Sequence, residues 1–188
     1  MNMTGNTILI TGAGSGIGLA LAEEFAALDN EVIVAARSRG KRDAAERRGL
    51  KTIVAVMPHL LKQRSAAILI VSSGLAFVPS AFVPSYSATK AALHSYAQSL
   101  RFQLRQTSIQ VIEIAPPYVQ TELGGRSQAT DPNAMPLRDF ISEVIQILKS
   151  VPHVEEVLVK RVLPHRYAAE HGRENYDAFF EKYHSRVM

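Results

Sequence analysis

Tyr86 and Lys90 stand four residues apart at the head of a stretch, Tyr86 to Arg105, that contains neither Gly nor Pro. A helix there puts both side chains on one face. An ammonium beside a phenol favours the phenolate and lowers a pKa that is ordinarily near 10. Such a tyrosine can exchange a proton with a carbonyl or alcohol oxygen near neutral pH. Ser73 follows the apolar run Ala66-Ala67-Ile68-Leu69-Ile70-Val71. Its hydroxyl could bond the same oxygen, because open α/β sheets bind ligands beyond the carboxyl ends of their strands. Tyr-x-x-x-Lys alone would equally describe a half-buried tyrosine beside a surface lysine, so its surroundings decide.

The second constellation is Thr11-Gly12-Ala13-Gly14-Ser15-Gly16-Ile17-Gly18. It follows the apolar run Thr7-Ile8-Leu9-Ile10 and precedes helically spaced Leu21, Phe25 and Leu28. In a strand-turn-helix setting Gly12 allows the tight turn, Gly16 admits a pyrophosphate close to the backbone, and Gly18 lets the helix pack on the sheet. The helix start offers N–H groups and partial positive charge to phosphates. Thr11, Gly12, Gly14, Ser15, Gly16, Ile17 and Gly18 are therefore the expected dinucleotide contacts. An acidic residue at the end of the next strand would hold the ribose 2′-OH of NAD. Arg37 and Arg39 stand there instead. Guanidinium pairs with phosphate in bidentate fashion, which favours NADP(H) over NAD(H), against the plainer reading of a solvated basic face.

These groups need a scaffold. Thr7–Ile10, Glu31–Ala36, Ala66–Val71, Ile109–Ala115 and Val157–Val162 read as strands, the first two as strands buried on both faces. Helices are expected from Leu19 to Leu28, Tyr86 to Arg105, Pro136 to Lys149 with proline first, and Tyr167 to Tyr183; Tyr118 to Met135 reads as a loop. Strand, helix and strand within the first 36 residues make a βαβ unit and a parallel sheet. A short helical stretch is expected from Lys41, and Lys51 to Met57 fits either a strand or a helix bending at Pro58.

The chain has 188 residues, 47% hydrophobic and 20% charged, as in an ordinary globular protein, and reads as one nucleotide-binding domain over residues 1–188. It has no cysteine, which excludes disulfides, thiol catalysis and thiolate metal sites, and no metal ligand set is expected. No apolar run approaches the roughly 20 residues of a membrane helix, and no signal-peptide pattern opens the chain. A soluble, cytoplasmic protein without a membrane partner is expected. The net charge of +4 is spread along the chain and mixed with acids, so nucleic-acid binding is not expected.

Taken together, these residues resemble the short-chain dehydrogenases/reductases. Thr11 to Gly18 is similar to the family's TGxxxGIG turn. Ser73 precedes Tyr86 by thirteen residues, as the family's serine does, and Tyr86-Ser87-Ala88-Thr89-Lys90 matches YxxxK. Pro116-Pro117-Tyr118-Val119-Gln120-Thr121 resembles the PGxVxT cofactor loop, with Pro117 in place of Gly. Val71 to His94 and the run Pro116 to Leu123 look most like the DltE-like subgroup.

The resemblance implies an α/β, three-layer Rossmann-like, doubly wound parallel sheet and hydride transfer between a nicotinamide and a carbonyl/alcohol pair. Tyr86 would be the general acid/base. Lys90 would lower its pKa and bind the nicotinamide ribose, Ser73 would orient the substrate oxygen, and Pro116, Val119 and Thr121 would line the cofactor's nicotinamide end. A small-molecule substrate and a homodimer or homotetramer are implied too.

The chain departs from the family between Arg37 and Pro58, where an internal deletion of about 60 residues is expected. The family's Asn-Asn-Ala-Gly and the asparagine of its catalytic tetrad have no counterpart. The sheet is then reduced in strand number. Either Thr7–Thr11 pairs directly with Ile68–Ser72, or Thr52–Met57 fills the vacant place, because unpaired buried backbone groups are costly. The competing reading is a catalytically impaired cofactor-binding or interaction protein of the same fold.

Overall fold

A run of apolar residues broken by glycine, then resumed at helical spacing, dictates the first elements. In the computed structural model, which describes residues 3–11, 13–35 and 53–185, β1 (Thr7–Thr11) leads into α1 (Gly16–Ala27) and then β2 (Glu31–Ala35). The two strands pair in parallel, Thr7 opposite Glu31 and Thr11 opposite Ala35. Asn30 fixes their start. Its Nδ2 donates to the carbonyls of Met3, Phe25 and Leu28, and its Oδ1 accepts from the Asn6 backbone N–H at 3.0 Å. Asp29, at φ +59, ends α1 in the left-handed turn that helix C-termini often adopt.

Residues 53–60 form the next helix, α2. Residues 53, 56, 57 and 60 are its shielded positions and 54, 55, 58 and 59 its exposed ones. That is a period of 3.6, not 2, so the helical alternative for this segment holds and the strand alternative does not. The remaining elements are β3 (Ala66–Val71), a 3-10 turn at Gly74–Ala76, α3 (Pro84–Leu104), β4 (Ile109–Ile114), α4 (Arg126–Ala129), α5 (Leu137–Ser150), β5 (Glu156–Val157), a 3-10 turn at Lys160–Val162, α6 (Leu163–Tyr167) and α7 (Arg173–Ser185). The described strands form two sheets, β1–β2 and β3–β4–β5. Direct pairing of β1 with β3, one of the two alternatives above, is not found among the described strands. The expected helical stretch from Lys41 lies outside the described residues.

Several boundaries differ from expectation for local reasons. The last strand stops at Val157, because a Val162 N–H to Val159 carbonyl bond of 2.9 Å closes a turn ahead of Pro164. Val157, Val159 and Val162 are nonetheless core residues. The last helix, expected from Tyr167, starts at Arg173; the separate helix α6 ends at Tyr167, and Gly172, whose φ of +93 suits glycine, precedes α7. Pro136 caps α5 from outside at φ −53 and ψ 134 instead of opening it. The expected loop Tyr118 to Met135 holds the single turn α4. β1 and β2 are not buried on both faces: Leu9 is 44% exposed, Ile33 49% and Val34 47%.

The chain packs as two compact units. The first comprises the described residues up to Ile68 with Thr107–Gln110 and Tyr118–Val154; the second comprises Leu69–Gln106, Val111–Pro117 and the residues from Glu155 onward. In the first, α1 packs on α5, and Leu21 and Phe25 of α1 and Phe140, Ile141 and Val144 of α5 are buried. In the second, α3 packs on the Gly74–Ala76 turn, and Ile112, Ile114, Val78 and Ala97 are fully buried. Among the described residues no helix is long and apolar enough to cross a membrane.

His165 lies edge-on between Phe179 and Tyr183, with ring centroids at 5.1 Å from each. Its Nδ1 is buried with no hydrogen-bond partner among the described residues, and burial holds its pKa below the ordinary value. The unfolded chain then takes up a proton that the folded chain resists, so stability falls as pH drops below about 6.5. Urea unfolding across that range is expected to show this loss, and His165→Phe to flatten it.

Candidate functional site

Each side chain proposed for chemistry in the second unit is placed by a short-range backbone feature. Ser73 follows β3 and starts the 3-10 turn, where its Oγ accepts the Leu75 N–H at 3.2 Å. The Gly74 N–H donates to the Pro116 carbonyl at 2.8 Å, and the Ser72 N–H to the Ile114 carbonyl at 2.9 Å, so the serine turn is registered against the end of β4. Gly74 is required there, since a Cβ would lie 2.8 Å from Val162 Cγ2.

The start of α3 is fixed by buried Ser87. Its Oγ accepts the Ser80 N–H at 3.1 Å and donates to the Val83 carbonyl at 3.1 Å. Tyr86 and Lys90 follow on one helix face, with Lys90 Nζ 5.4 Å from the Tyr86 ring centroid. Lys90 Nζ also donates to the Val71 carbonyl at 3.1 Å, two residues before Ser73. The structure thus brings Lys90 to the same strand end as Ser73 and beside Tyr86. The set can hold a cation next to a phenol and a hydroxyl at the carboxyl end of a strand, which suits proton exchange with an oxygen-bearing ligand.

In the first unit the glycine turn and the later loop meet. Gly16 has φ +58, and a Cβ on it would lie 3.5 Å from Thr121 Cβ and Cγ2. α1 begins at Gly16 with no acidic side chain in its first turn and no side-chain cap from Ser15. Its first-turn N–H groups have no partner within the helix. An uncapped, glycine-lined helix start of this kind fits a pyrophosphate. Thr11, Gly14 and Ser15 are exposed, and Ile17 and Gly18 partly so. Gly12, Arg37 and Arg39 lie outside the described residues.

The loop carrying Val119 and Thr121 is ordered by a residue that its spacing did not reveal, Gln128. Its Nε2 donates to the Val119 carbonyl at 2.8 Å and to Thr121 Oγ1 at 3.2 Å, while its Oε1 accepts the Gly124 N–H at 2.7 Å. Val119 itself is buried and bridges to Met135. His94 and Glu113 also went unsignalled as a pair: His94 Nδ1 lies 2.7 Å from Glu113 Oε2. The available clue was that Tyr86, Lys90 and His94 repeat every four residues along one helix face.

Comparison with known proteins agrees with these motifs. The sequence profile described as short chain dehydrogenase matches residues 6–49 and 47–132. The chain is 34% identical to a Bacillus subtilis protein named uncharacterized oxidoreductase DltE, covering 97% of this chain and 98% of that one. That alignment spans 251 positions, 63 more than this chain's 188 residues, so the shortening is internal. An uncharacterized oxidoreductase of Staphylococcus saprophyticus is 35% identical over 60% of this chain and 49% of its own length.

Among solved structures, a short chain dehydrogenase from Burkholderia cenocepacia in complex with NADP superposes with a TM-score of 0.74 at 18% identity, covering 96% of this chain and 99% of that one. A short-chain dehydrogenase from Sphingobium yanoikuyae in complex with NADPH gives 0.67 at 20% identity, over 92% and 95%. These likenesses establish the Rossmann-like α/β fold.

Gly74→Ala is expected to destabilise the protein by about 1–3 kcal/mol, the usual cost of overpacking, as read by urea unfolding.

Proposed function

The chain belongs to the short-chain dehydrogenase family, as a DltE-like member with an internal deletion, and on that premise we propose that it is an NADP(H)-dependent oxidoreductase that interconverts a carbonyl and an alcohol. The observation that carries this reading is the placement of Lys90, bonded to the Val71 carbonyl at the strand end bearing Ser73 and 5.4 Å from the Tyr86 ring. A bound nicotinamide supplies or accepts the hydride.

Tyr86 donates its phenolic proton to the forming alkoxide in reduction and recovers it in oxidation. The Lys90 ammonium favours the phenolate and binds the nicotinamide ribose. Ser73 Oγ orients the substrate oxygen. Thr11, Gly12, Gly14, Ser15, Gly16, Ile17 and Gly18 take the pyrophosphate and adjoining ribose, and Pro116, Val119 and Thr121 the nicotinamide end. NADP(H) is preferred because Arg37 and Arg39 stand where an NAD enzyme carries an acid; relatives of the same fold are described as complexes with NADP and NADPH, and one from Burkholderia phymatum with NAD.

In this reading residues 1–188 act as one nucleotide-binding domain, in the cytoplasm, on a small-molecule carbonyl or alcohol, as a homodimer or homotetramer, with no nucleic-acid or membrane partner. A second reading is favoured by the lack of a tetrad asparagine and by the at least 63 positions without a counterpart (251 − 188): the nucleotide binds and no turnover follows.

NADPH consumption with a panel of aldehydes and ketones separates the two. Turnover that Tyr86→Phe lowers by about 100-fold or more is expected, the scale of a lost general acid. Nucleotide binding by calorimetry without turnover on any carbonyl would establish the second reading and overturn the first.

A further inference from the structure

Beneath Lys90 on the same face of α3 lies a group of ionisable side chains with no part in the proposed reaction. His94 of α3, Glu113 of β4 and Glu156 of β5 each offer a ligand atom, and the three atoms lie within 4.8 Å of one another. Glu113 is fully buried, and its second oxygen, Oε1, has no hydrogen-bond partner among the described residues. A buried carboxylate oxygen left without a donor or counter-charge is costly. Its neighbours bond other atoms: His94 Nδ1 faces Oε2 at 2.7 Å, and the nearby guanidinium of Arg166 is engaged with Glu156 Oε2 at 2.7 Å and with Glu170 Oε1.

Among the described residues, the carboxyl groups of Glu113, Glu156 and Glu170 gather around the Arg166 guanidinium and the His94 imidazole, an oxygen-rich setting with one nitrogen donor that suits a divalent cation. The surroundings are also suited to exclude water, since Phe77 packs edge-on against His94 at 4.9 Å and Arg166 covers Phe77 at 5.3 Å.

We propose that His94, Glu113 and Glu156 form a divalent-cation site, with zinc the cation that one imidazole and two carboxylates suit best. Metal–ligand bonds of about 2.0–2.2 Å require the 2.7 Å contact between His94 Nδ1 and Glu113 Oε2 to open slightly and its shared proton to pass to solvent, while the wider ligand spacings close in. Binding draws Glu156 away from Arg166, which keeps Glu170 as its partner. The bound ion satisfies Glu113 and clamps α3, β4 and β5 together. It is independent of the reaction proposed above, because Ser73, Tyr86 and Lys90 are not ligands.

Calorimetric titration of the full-length, chelator-treated protein with Zn²⁺ tests the site, alongside elemental analysis for stoichiometry. One equivalent of Zn²⁺ per chain is expected. Glu113→Gln and Glu156→Gln should each weaken binding by about 100-fold or more, beyond what loss of an outer-shell partner costs. Arg166→Gln, which removes the competing cation, should tighten it. Absence of zinc binding to the wild-type chain overturns the proposal. So does binding retained in both Glu variants, which would place the ion on surface histidines. Should Glu113→Gln fail to fold, the more exposed Glu156→Gln and Arg166→Gln decide through their opposite effects, and weaker or unchanged binding in Arg166→Gln also counts against the site.

Discussion

The second unit depends on one face of α3 being held against the sheet by polar contacts. Lys90 reaches the Val71 carbonyl on β3, and one turn later His94 reaches Glu113 on β4. Apolar packing of Ala97, Leu100 and Leu104 holds the helix by shape, and polar contacts add direction to it. Two polar anchors lie one turn apart, each meeting a group that is costly to leave unpaired once buried. Tyr86 begins the same face, so its direction is set by contacts at Lys90 and His94 that do not involve it. Buried Ser87 fixes the start of the helix in the same way.

Local features therefore survive the loss of chain that the 251-position alignment reveals. The glycine turn is specified by its own residues, by the strand before it and by the helix after it. Gly16 is required by its backbone at φ +58, and Gly74 by the space that the Val162 side chain leaves it. What the deletion changes is the sheet. The described strands fall into two sheets, and Leu9, Ile33 and Val34 are exposed although their residue types are those of a covered sheet. Apolar composition records what a strand is suited to bury; burial itself requires a layer on both sides.

Legible in the residues alone were the βαβ opening, the long helix from the Tyr-x-x-x-Lys motif, the strand ending at Val71, the strand from Ile109 (expected to Ala115, found to Ile114) and the family to which the chain belongs. These are legible because hydrophobic periodicity and glycine placement act within a few residues. Tertiary structure decided the rest. It chose helix over strand for residues 53–60, where the same apolar residues fit both until one side was shielded. It cut β5 short, because a 3-10 turn supplied Val159 and Val162 to the core without a ladder. It also paired His94 with Glu113, nineteen residues away, and set Gln128 across the Val119–Thr121 loop. Those partners sit on different elements, and spacing along a chain carries no information about which side chains meet once the elements pack.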